Sequence, residues 1–221
     1  MDVLLDFVRC SYLEGLARQD EVRAALPDGT LHGLAFEHPP TFTFGRHASA
    51  EHLLVPGTFL AERGVAVVES ERGGEVTFHG PGQLVLYPLL RLGALHLKRW
   101  VWLLEEALIL TLARYGIVGA RGEAPGIFVH DGSPSPRVRA ASKIGFIGLR
   151  IRAGVSTHGI SLNVNNDLEP FTWMNPCGAV QLAVTSLARE MPNPSAPSPA
   201  LPEVARVYMD TLAALLIGDR T

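Results

Sequence analysis

The segment Arg72–Pro88, RGGEVTFHGPGQLVLYP, places four glycines, a proline and a histidine directly before an apolar run, Leu84–Leu90. Backbone rich in glycine can adopt positive φ angles and can approach another molecule closely. The alternating residues Val76–His79 predict a short strand that enters the loop with His79 on its polar side. A glycine pair alone indicates an ordinary turn, but here an arginine, a histidine and a glutamine stand in the same segment. We therefore predict a binding site at this position.

Composition describes an ordinary soluble globular protein of one domain. The chain has 221 residues, of which 47% are hydrophobic and 19% charged, and a net charge of −3, which gives no reason to expect binding to nucleic acid. Two cysteines make a disulfide framework unexpected. The N-terminus lacks the features of a signal peptide, and Glu105 and Glu106 interrupt the longest apolar run. We expect a cytoplasmic protein that does not enter membranes.

Hydrophobic periodicity and turn residues predict a mixture of strands and helices. The predicted strands are Val3–Phe7, Leu31–Glu37, Thr41–Phe44 before a turn at Gly45-Arg46, Val65–Val68, Leu84–Leu90, Ile127–Val129, Lys143–Arg152 and Val155–Val164; the predicted helices are Ser11–Ala25, Arg99–Tyr115 and Glu203–Leu216. A polar loop is predicted at His130–Ala141 and an irregular segment at Phe171–Ala179. Because there is no regular βαβ alternation, the pattern predicts an α+β (mixed α/β) fold with one domain over residues 1–221. Residues 190–200 carry four prolines and are interpreted as a linker to the C-terminal helix.

Cys177 is the candidate nucleophile. A lone cysteine is often a small buried apolar residue. Here Pro176 precedes Cys177 and Gly178 follows it, so a turn is predicted that could present the thiol to a ligand. Cys10 has no such neighbours and is interpreted as structural.

Lys143 is the candidate base. The chain contains only two lysines, Lys98 and Lys143, among 19 lysines and arginines. A lysine at the start of a strand can simply be a solvated charge. However, a desolvated lysine can release its proton near neutral pH, whereas an arginine cannot. His79 and His158 could be either structural or part of the site, and no histidine spacing typical of a metal site is present.

Four motifs together resemble one enzyme family. They are R-G-G-x-x-T-F-H-G-P-G-Q-x-x-x-Y from residue 72, K-I-G-F-I-G-L-R-I from residue 143, T-H-G-I-S-L-N-V-N-x-D-L from residue 157 and F-x-x-x-x-P-C-G from residue 171. Their order and separation are similar to those of the lipoyl/octanoyl transferases, which are related to biotin and lipoate protein ligases. The resemblance covers most of residues 40–188 and implies the catalytic fold of that group, a mixed sheet packed with helices.

The resemblance also implies residue roles. The cysteine matching Cys177 carries the acyl group as a thioester, and the lysine matching Lys143 lowers the pKa of that thiol and serves the proton transfers. The matching acyl pocket contains Arg72, Gly73, Gly74, Glu75, Val76, Thr77, Phe78, His79, Phe146, Ile147, Gly148, His158, Gly159, Ile160 and Ser161. Phe78 and Ser161 depart from the commoner family residues, and Ser161 could alter the polarity of the pocket. Backbone N–H groups of turns at Gly159 or Gly178 are candidates to stabilise the oxyanion.

The activity implied is transfer of an octanoyl or lipoyl group from acyl carrier protein to a lysine of a lipoyl domain. The donor carries the acyl group on phosphopantetheine, and no other cofactor and no metal is expected. The expected acceptors are the lipoyl domains of 2-oxoacid dehydrogenase complexes and the glycine cleavage H protein, and a monomer is expected. Two alternatives are an ATP-dependent lipoate-protein ligase, which the Pro176-Cys177-Gly178 sequence disfavours, and a non-catalytic acyl-carrier-binding module in which Cys177 is merely buried.

Overall fold

A computed structural model describes residues 1–130, 141–175 and 183–219. Within these residues the chain forms ten strands and five α-helices, numbered in chain order. The strands are β1 (Asp2–Arg9), β2 (Thr30–Glu37), β3 (Thr41–Phe44), β4 (Ala66–Glu69), β5 (Val76–His79), β6 (Gln83–Arg91), β7 (Gly119–Arg121), β8 (Ile127–His130), β9 (Ala141–Arg152) and β10 (Val155–Asn163). The helices are α1 (Tyr12–Ala25), α2 (Gly57–Glu62), α3 (Leu97–Arg114), α4 (Leu187–Glu190) and α5 (Leu201–Gly218), with 3-10 turns at Ala50–His52 and Glu169–Trp173.

The strands form two sheets. The large sheet has the order β1-β2-β6-β10-β9-β8-β7, and the small sheet has the order β4-β3-β5. In the large sheet only β1 and β2 run parallel, and the remaining described pairs are antiparallel. The small sheet pairs β3 parallel to β4 and antiparallel to β5. This arrangement confirms the predicted mixed α/β class.

The main core lies between the large sheet and helices α3 and α5. The apolar face of α3 is fully buried there, because its leucines recur every three or four residues. Trp100 is also buried, and its indole N–H donates to Ser156 Oγ at 2.7 Å. Among the described residues, no helix combines the length and the apolar character needed to span a bilayer.

Aromatic contacts join the small sheet to the large sheet. Phe146 of β9 stacks on Phe171 with ring centroids 5.4 Å apart, and Phe171 meets Phe78 of β5 edge-on at 5.8 Å. Phe42 of β3 completes this second cluster against Phe78. The small sheet therefore packs against the large sheet through these aromatic side chains, and both faces of β5 are buried.

Most predicted elements are present, with a few corrections. His79 contacts the polar side chains Gln83 and Thr43 as the predicted alternation implies, whereas Val76 and Phe78 pack in the apolar cluster, and all four residues of β5 are buried. Helices α2 and α4 and strand β7 were not predicted, and Glu190 ends α4 rather than beginning the linker. Residues 191–200 form no helix or strand. Of the predicted loop His130–Ala141, His130 ends β8 and Ala141 begins β9, and residues 131–140 lie outside the described residues. Residues 176–179 of the predicted irregular segment lie outside them as well.

Candidate active site

A cavity of about 170 Å³ lies between the two sheets. Its walls come from the turn before β5, from β5 itself, from the inward face of β6, β9 and β10, and from the first residue of α1. The lining residues are Tyr12, Arg72, Gly74, Glu75, Val76, Thr77, His79, Val85, Tyr87, Ala124, Pro125, Lys143, Phe146, Ile147, Gly148, His158, Gly159, Ile160, Ser161 and Met174. Segments far apart in sequence thus enclose one narrow space.

The structure brings together most of the residues that the sequence had singled out. Lys143 and all the predicted pocket residues except Gly73 and Phe78 line the cavity. Phe78 instead packs among the aromatic side chains of the second cluster. The Gly73 N–H donates to the Leu149 carbonyl at 2.9 Å, which ties the Arg72–Gly74 turn to β9. Cys177 lies outside the described residues.

Sequence reasoning missed several lining residues. They are Tyr12, Val85, Tyr87, Ala124, Pro125 and Met174. Tyr87 closes the first family motif, so that motif held a signal for it. Tyr12 could not be found in this way, because its apolar spacing on α1 is typical of any core residue.

Arg72 is a buried cation that organises the turn around it. Its guanidinium donates to the Thr43 side chain and carbonyl, to the Gly73 carbonyl and to the Glu75 carbonyl at 2.7–3.1 Å. Burial lowers the pKa of Arg72, although an arginine keeps its proton in proteins. These bonds fix the backbone of residues 43 and 72–75 in one arrangement at the cavity wall.

Glycines at positions 45 and 148 leave space for the Arg72 side chain and its turn. A Cβ on Gly45 would lie 2.9 Å from Arg72 Nη1 and 2.2 Å from the Gly74 carbonyl oxygen. A Cβ on Gly148 would lie 3.0 Å from the Gly73 carbonyl oxygen. Larger residues at these positions would push the turn off β9, since protein interiors leave no slack at such distances.

His79 is held in one tautomer by its hydrogen-bond partners. The Gln83 amide nitrogen donates to the Phe78 carbonyl and to Asn163 Oδ1, so the Gln83 oxygen must accept from His79 Nδ1 at 2.7 Å. His79 Nε2 is then left as an acceptor facing Thr43 Oγ1 at 3.4 Å. Burial, with nearby positive charge, lowers the pKa of His79 to about 3. His79 is therefore a neutral wall residue and is poorly suited to accept protons near neutral pH.

His158 is held in an unusual backbone conformation. Its φ is 55°, and its N–H donates at 2.5 Å to the Gln19 side chain of α1, where the pairing of β10 with β6 is interrupted. Burial and the charges of Arg72 and Arg150 lower the pKa of His158 to about 4. Gly159 follows within β10, so the expectation of a turn at Gly159 is wrong.

Lys143 lies where β8 and β9 meet the cavity. Its ammonium donates to the Pro125 carbonyl at 2.8 Å and lies 5.4 Å and 5.1 Å from the ring centroids of Phe128 and Phe146. Aromatic faces attract a cation at such distances. The amine is therefore fixed at the edge of an apolar space.

The residues on either side of segment 176–182 reach this region. Before that segment, Met174 lines the cavity and the Asn175 N–H donates to the His52 carbonyl at 2.7 Å. After it, the Ala183 carbonyl accepts from the Lys143 N–H at 2.8 Å, and the Thr185 N–H donates to the Lys143 carbonyl at 3.0 Å. Hence Lys143 is bound through its backbone to the segment that follows.

The described residues contain no group of three or more histidines, cysteines, aspartates or glutamates that could hold a metal ion. The cavity is narrow, mostly apolar inside and has one amine at its edge. Such an arrangement suits an extended apolar chain whose reactive end stays near Lys143.

The chain belongs to the lipoyl protein ligase A/B catalytic domain family, whose model matches residues 11–212. Within that family, its sequence is similar to octanoyltransferases. The octanoyltransferase of Desulfotalea psychrophila is 40% identical over 225 aligned residues, 99% of this chain and 97% of the relative. The octanoyltransferase of Chloroflexus aurantiacus is 47% identical over 176 residues, 78% of this chain and 74% of the relative.

Solved structures share the fold at low sequence identity. A bipartite lipoate protein ligase from Thermoplasma acidophilum, described with its E2 lipoyl domain, has a TM-score of 0.77 at 15% identity and covers 98% of this chain and 84% of its own. A lipoate-protein ligase A bound with ATP has a TM-score of 0.75 at 16% identity, covering 97% and 85%. The biotin protein ligase of Aquifex aeolicus is more distant, with a TM-score of 0.57. These likenesses identify the fold alone.

Proposed function

We propose that this chain is an octanoyltransferase that moves an octanoyl group from acyl carrier protein to a lysine of a lipoyl domain, through a thioester on Cys177. Octanoyl transfer in protein lipoylation is supported by relatives at 40–47% identity that are octanoyltransferases. The observation that favours it in this chain is the narrow cavity with Lys143 at its edge. We propose that the enzyme transfers a lipoyl group by the same route.

The position of Cys177 in the chain is compatible with this role. Cys177 follows the cavity residue Met174 by three positions, a span that extended backbone covers in about 11 Å. On the other side, Ala183 is hydrogen-bonded to Lys143. One flank of the segment that holds the thiol is therefore hydrogen-bonded to the proposed base, and the other lines the same cavity.

The first step exchanges one thioester for another. The Cys177 thiolate attacks the carbonyl carbon of the octanoyl thioester, and the C–S bond to phosphopantetheine breaks. The released thiolate takes up a proton, which Lys143 as an ammonium can supply. Because both thioesters have similar energy, the step needs no ATP. A nearby ammonium also favours the thiolate form of a cysteine.

The second step forms the amide. The neutral amine of the acceptor lysine attacks the octanoyl-Cys177 carbonyl, the C–S bond to Cys177 breaks, and the thiolate is regenerated. The attacking nitrogen must lose one proton, and Lys143 in its neutral form can accept it. Proton release and uptake at Lys143 then balance over the cycle. No cofactor or metal takes part in this scheme.

Burial of the tail supplies binding energy. Each buried methylene contributes about 0.8 kcal/mol, so seven carbons beyond the carbonyl contribute roughly 5 kcal/mol at full burial.

The cytoplasmic proteins expected as partners are acyl carrier protein as donor and, as acceptors, lipoyl domains of 2-oxoacid dehydrogenase complexes and the glycine cleavage H protein. The proposed enzyme works as a monomer.

The test is the mass of the intact protein after incubation with octanoyl-acyl carrier protein alone. We expect one added octanoyl group, which hydroxylamine removes because it is a thioester. Cys177→Ala should abolish the adduct, whereas Cys10→Ala should keep it. An adduct that persists in Cys177→Ala would rule out the assignment of the nucleophile.

The same experiment separates the two alternatives. A lipoate-protein ligase would need ATP with free octanoate or lipoate and would show no adduct from the carrier-bound donor. A non-catalytic carrier-binding module would bind the donor without a mass increase. In addition, iodoacetamide should alkylate Cys177 faster than Cys10 near neutral pH in a transferase and should show no such difference in a binding module.

A further inference from the structure

Glu105 is a buried carboxylate on the otherwise apolar face of α3. Its exposed fraction is 9%, and most of the other buried residues of α3 are apolar: Trp100, Leu103, Leu104, Ala107, Leu108 and Leu112. A buried carboxylate is retained only where it is paired and hydrogen-bonded. The partners of Glu105 therefore indicate what it does.

Those partners are the last residue of β7 and the last residue of the loop that joins β7 to β8. Glu105 Oε1 accepts from the Gly126 N–H at 3.2 Å, and Glu105 Oε2 accepts from Arg121 Nε at 3.0 Å. Arg121 also donates to Glu106 at 2.8 Å and to the Trp102 carbonyl at 3.0 Å. Glu105 thus binds both ends of residues 121–126 to α3.

The same loop holds the amine of Lys143. The Pro125 carbonyl accepts from Lys143 Nζ at 2.8 Å. Gly126, at φ 121°, lies so close that a Cβ on it would be 2.6 Å from Lys143 Cε and 2.4 Å from the Gly145 carbonyl oxygen. The Pro125–Gly126 peptide is therefore pressed against Lys143, and the peptide N–H opposite that carbonyl is the group that Glu105 binds.

We propose that Glu105 is a positioning residue that sets the direction of the Lys143 amine through the Pro125–Gly126 peptide. The consequence for octanoyl transfer rests on the function proposed above. One peptide unit connects the Pro125 carbonyl to the Gly126 N–H, and such a unit is planar. Fixing its N–H at Glu105 fixes the carbonyl that Lys143 contacts.

The orientation of the Lys143 amine matters because a base must point its lone pair at the proton that it accepts. An amine that donates one N–H to the Pro125 carbonyl must point its lone pair elsewhere, and Lys143 lines the cavity. Without the bond from Gly126 to Glu105, the peptide can rotate, and the Pro125 carbonyl that accepts from the amine is no longer fixed. Displacement of a reacting group by about 1 Å can cost about 100-fold in rate.

The chain offers a direct spectroscopic test that does not depend on activity. Only Lys98 and Lys143 are present, so ¹³C labelling of lysine at Cε gives two signals, which Lys98→Arg assigns. Lys98 is exposed, whereas Lys143 lies over Phe128 and Phe146. Ring currents should therefore separate the Lys143 signal from that of Lys98.

Glu105→Met removes both acceptors while keeping the side-chain volume, and the Lys143 signal should then move most of the way toward the Lys98 signal. Glu105→Asp retracts the carboxylate by one methylene and should move it part of the way, which provides a milder variant if the methionine variant does not fold. Glu105→Gln leaves one acceptor oxygen for two donors, the Gly126 N–H and Arg121 Nε, and should therefore also move the signal only part of the way. Glu106→Met is the matched control, because Glu106 shares Arg121 but makes no bond to Gly126, and should leave the signal in place.

Kinetics then test the link to catalysis. For the second step, we expect kcat for transfer from the acyl-enzyme to a lipoyl domain to fall about 10-fold to 100-fold in Glu105→Met, with KM within about threefold of wild type and a smaller loss in Glu105→Gln. An unchanged Lys143 signal in a folded Glu105→Asp or Glu105→Met variant would overturn the proposal, as would an equal loss in Glu106→Met. If wild-type protein transferred no octanoyl group, the proposed function would fail, and the lysine signals would still decide the role of Glu105.

Discussion

Lys143 combines a charge and a transferable proton at one position of the cavity. An arginine there would keep the charge but could not act as a base, since its pKa is above about 12. We therefore expect Lys143→Arg to retain part of the first step and to accumulate octanoyl-enzyme. Transfer to the acceptor should slow by about 100-fold or more, and Lys143→Ala should slow both steps. Single-turnover kinetics, with donor first and acceptor second, resolve the two rates.

Two outcomes would change the role of Lys143. Normal transfer by the arginine variant would reduce the residue to an electrostatic role. Normal rates in both steps for the alanine variant would remove it from the mechanism. Lys98→Ala, on the exposed first turn of α3, is the control for loss of a lysine elsewhere.

Ser161 is the residue at which the shape of the cavity is best tested. It is 4% exposed and lines the cavity beside Phe146, its cross-strand neighbour on β9. Ser161→Val adds apolar bulk equal to about two methylenes, so octanoyl uptake should weaken about 15-fold relative to hexanoyl uptake, at about 0.8 kcal/mol per methylene. Mass spectrometry of the acyl-enzyme formed from mixed donors gives the ratio. Ser161→Ala should leave the ratio as in wild type, and an unchanged ratio in the valine variant would place the tail elsewhere.

Gly74 would be a poorer choice for this purpose. Its φ is 88°, so a valine there would strain the backbone whatever space the cavity offers. The sequence indicated that Gly74 belongs to a site, but not that its conformation is fixed by the guanidinium of Arg72. That information lies in contacts to Thr43 and Glu75 rather than in the motif.

The strand β5 carries a histidine that must stay neutral in the folded protein. Burial lowers the pKa of His79 to about 3, whereas an unfolded histidine titrates near 6.5. Between these values the unfolded chain binds a proton that the folded chain does not. Stability therefore falls as the pH drops below about 6.5, by about 1.4 kcal/mol per pH unit, and is unaffected by His79 above that pH.

We accordingly expect the free energy of unfolding to decrease from pH 6.5 to pH 5. His79→Gln should reduce that decrease by about 1.5 kcal/mol in urea titrations. His96→Gln is the control, because His96 is exposed and its side chain makes no cap bond to α3. Equal pH dependence in wild type and His79→Gln would mean that His79 is not buried as neutral imidazole. His158 acts in the same direction over pH 6.5 to about 4.

Elements with a strong repeating pattern were predicted well, and those held by distant contacts were not. The apolar spacing of α3 and the alternation or apolar runs of β2, β6 and β10 predicted their positions to within about two residues. The positive φ of His158 could not be predicted, because its cause is the Gln19 amide, 139 positions away in sequence. Helix α2 was missed because its six residues begin with Gly57 and carry little helical signal, and Leu60 holds it by packing in the second cluster.

The whole molecule shares its fold with a lipoate-protein ligase A that was solved with bound ATP, so the fold alone does not decide the reaction. The three motifs that begin at residues 72, 143 and 157 identified the family from the sequence, and each contributes residues to the wall of one cavity. The motif that begins at residue 171 named Cys177, whose contacts lie outside the described residues, so its role stays a prediction. The role proposed for Glu105 could not be found from the motifs, because it depends on contacts to residues 121–126, which no motif contains.

The cavity lies between the two sheets, and therefore an octanoyl chain bound there should stabilise them against separation. The tail would contact Tyr87, Phe146 and Ser161 on the large sheet and Val76 and Thr77 on the small sheet side. Full burial is worth roughly 5 kcal/mol, and in a chain of this size 1 kcal/mol shifts Tm by about 2–4 °C. Even half of that burial should raise the Tm of the octanoyl-enzyme by at least about 5 °C.

Calorimetry or circular dichroism of octanoyl-enzyme, prepared with donor and freed of carrier protein, measures this rise. Protein alkylated at Cys177 with iodoacetamide is the matched control, because it carries a modified sulfur but no tail, and its Tm should stay near that of the unmodified protein. A butanoyl-enzyme should fall between the two, since its shorter tail buries less apolar surface. If octanoyl-enzyme and alkylated protein melted at the same temperature, the acyl chain would not lie between the sheets, and the cavity would need a different occupant.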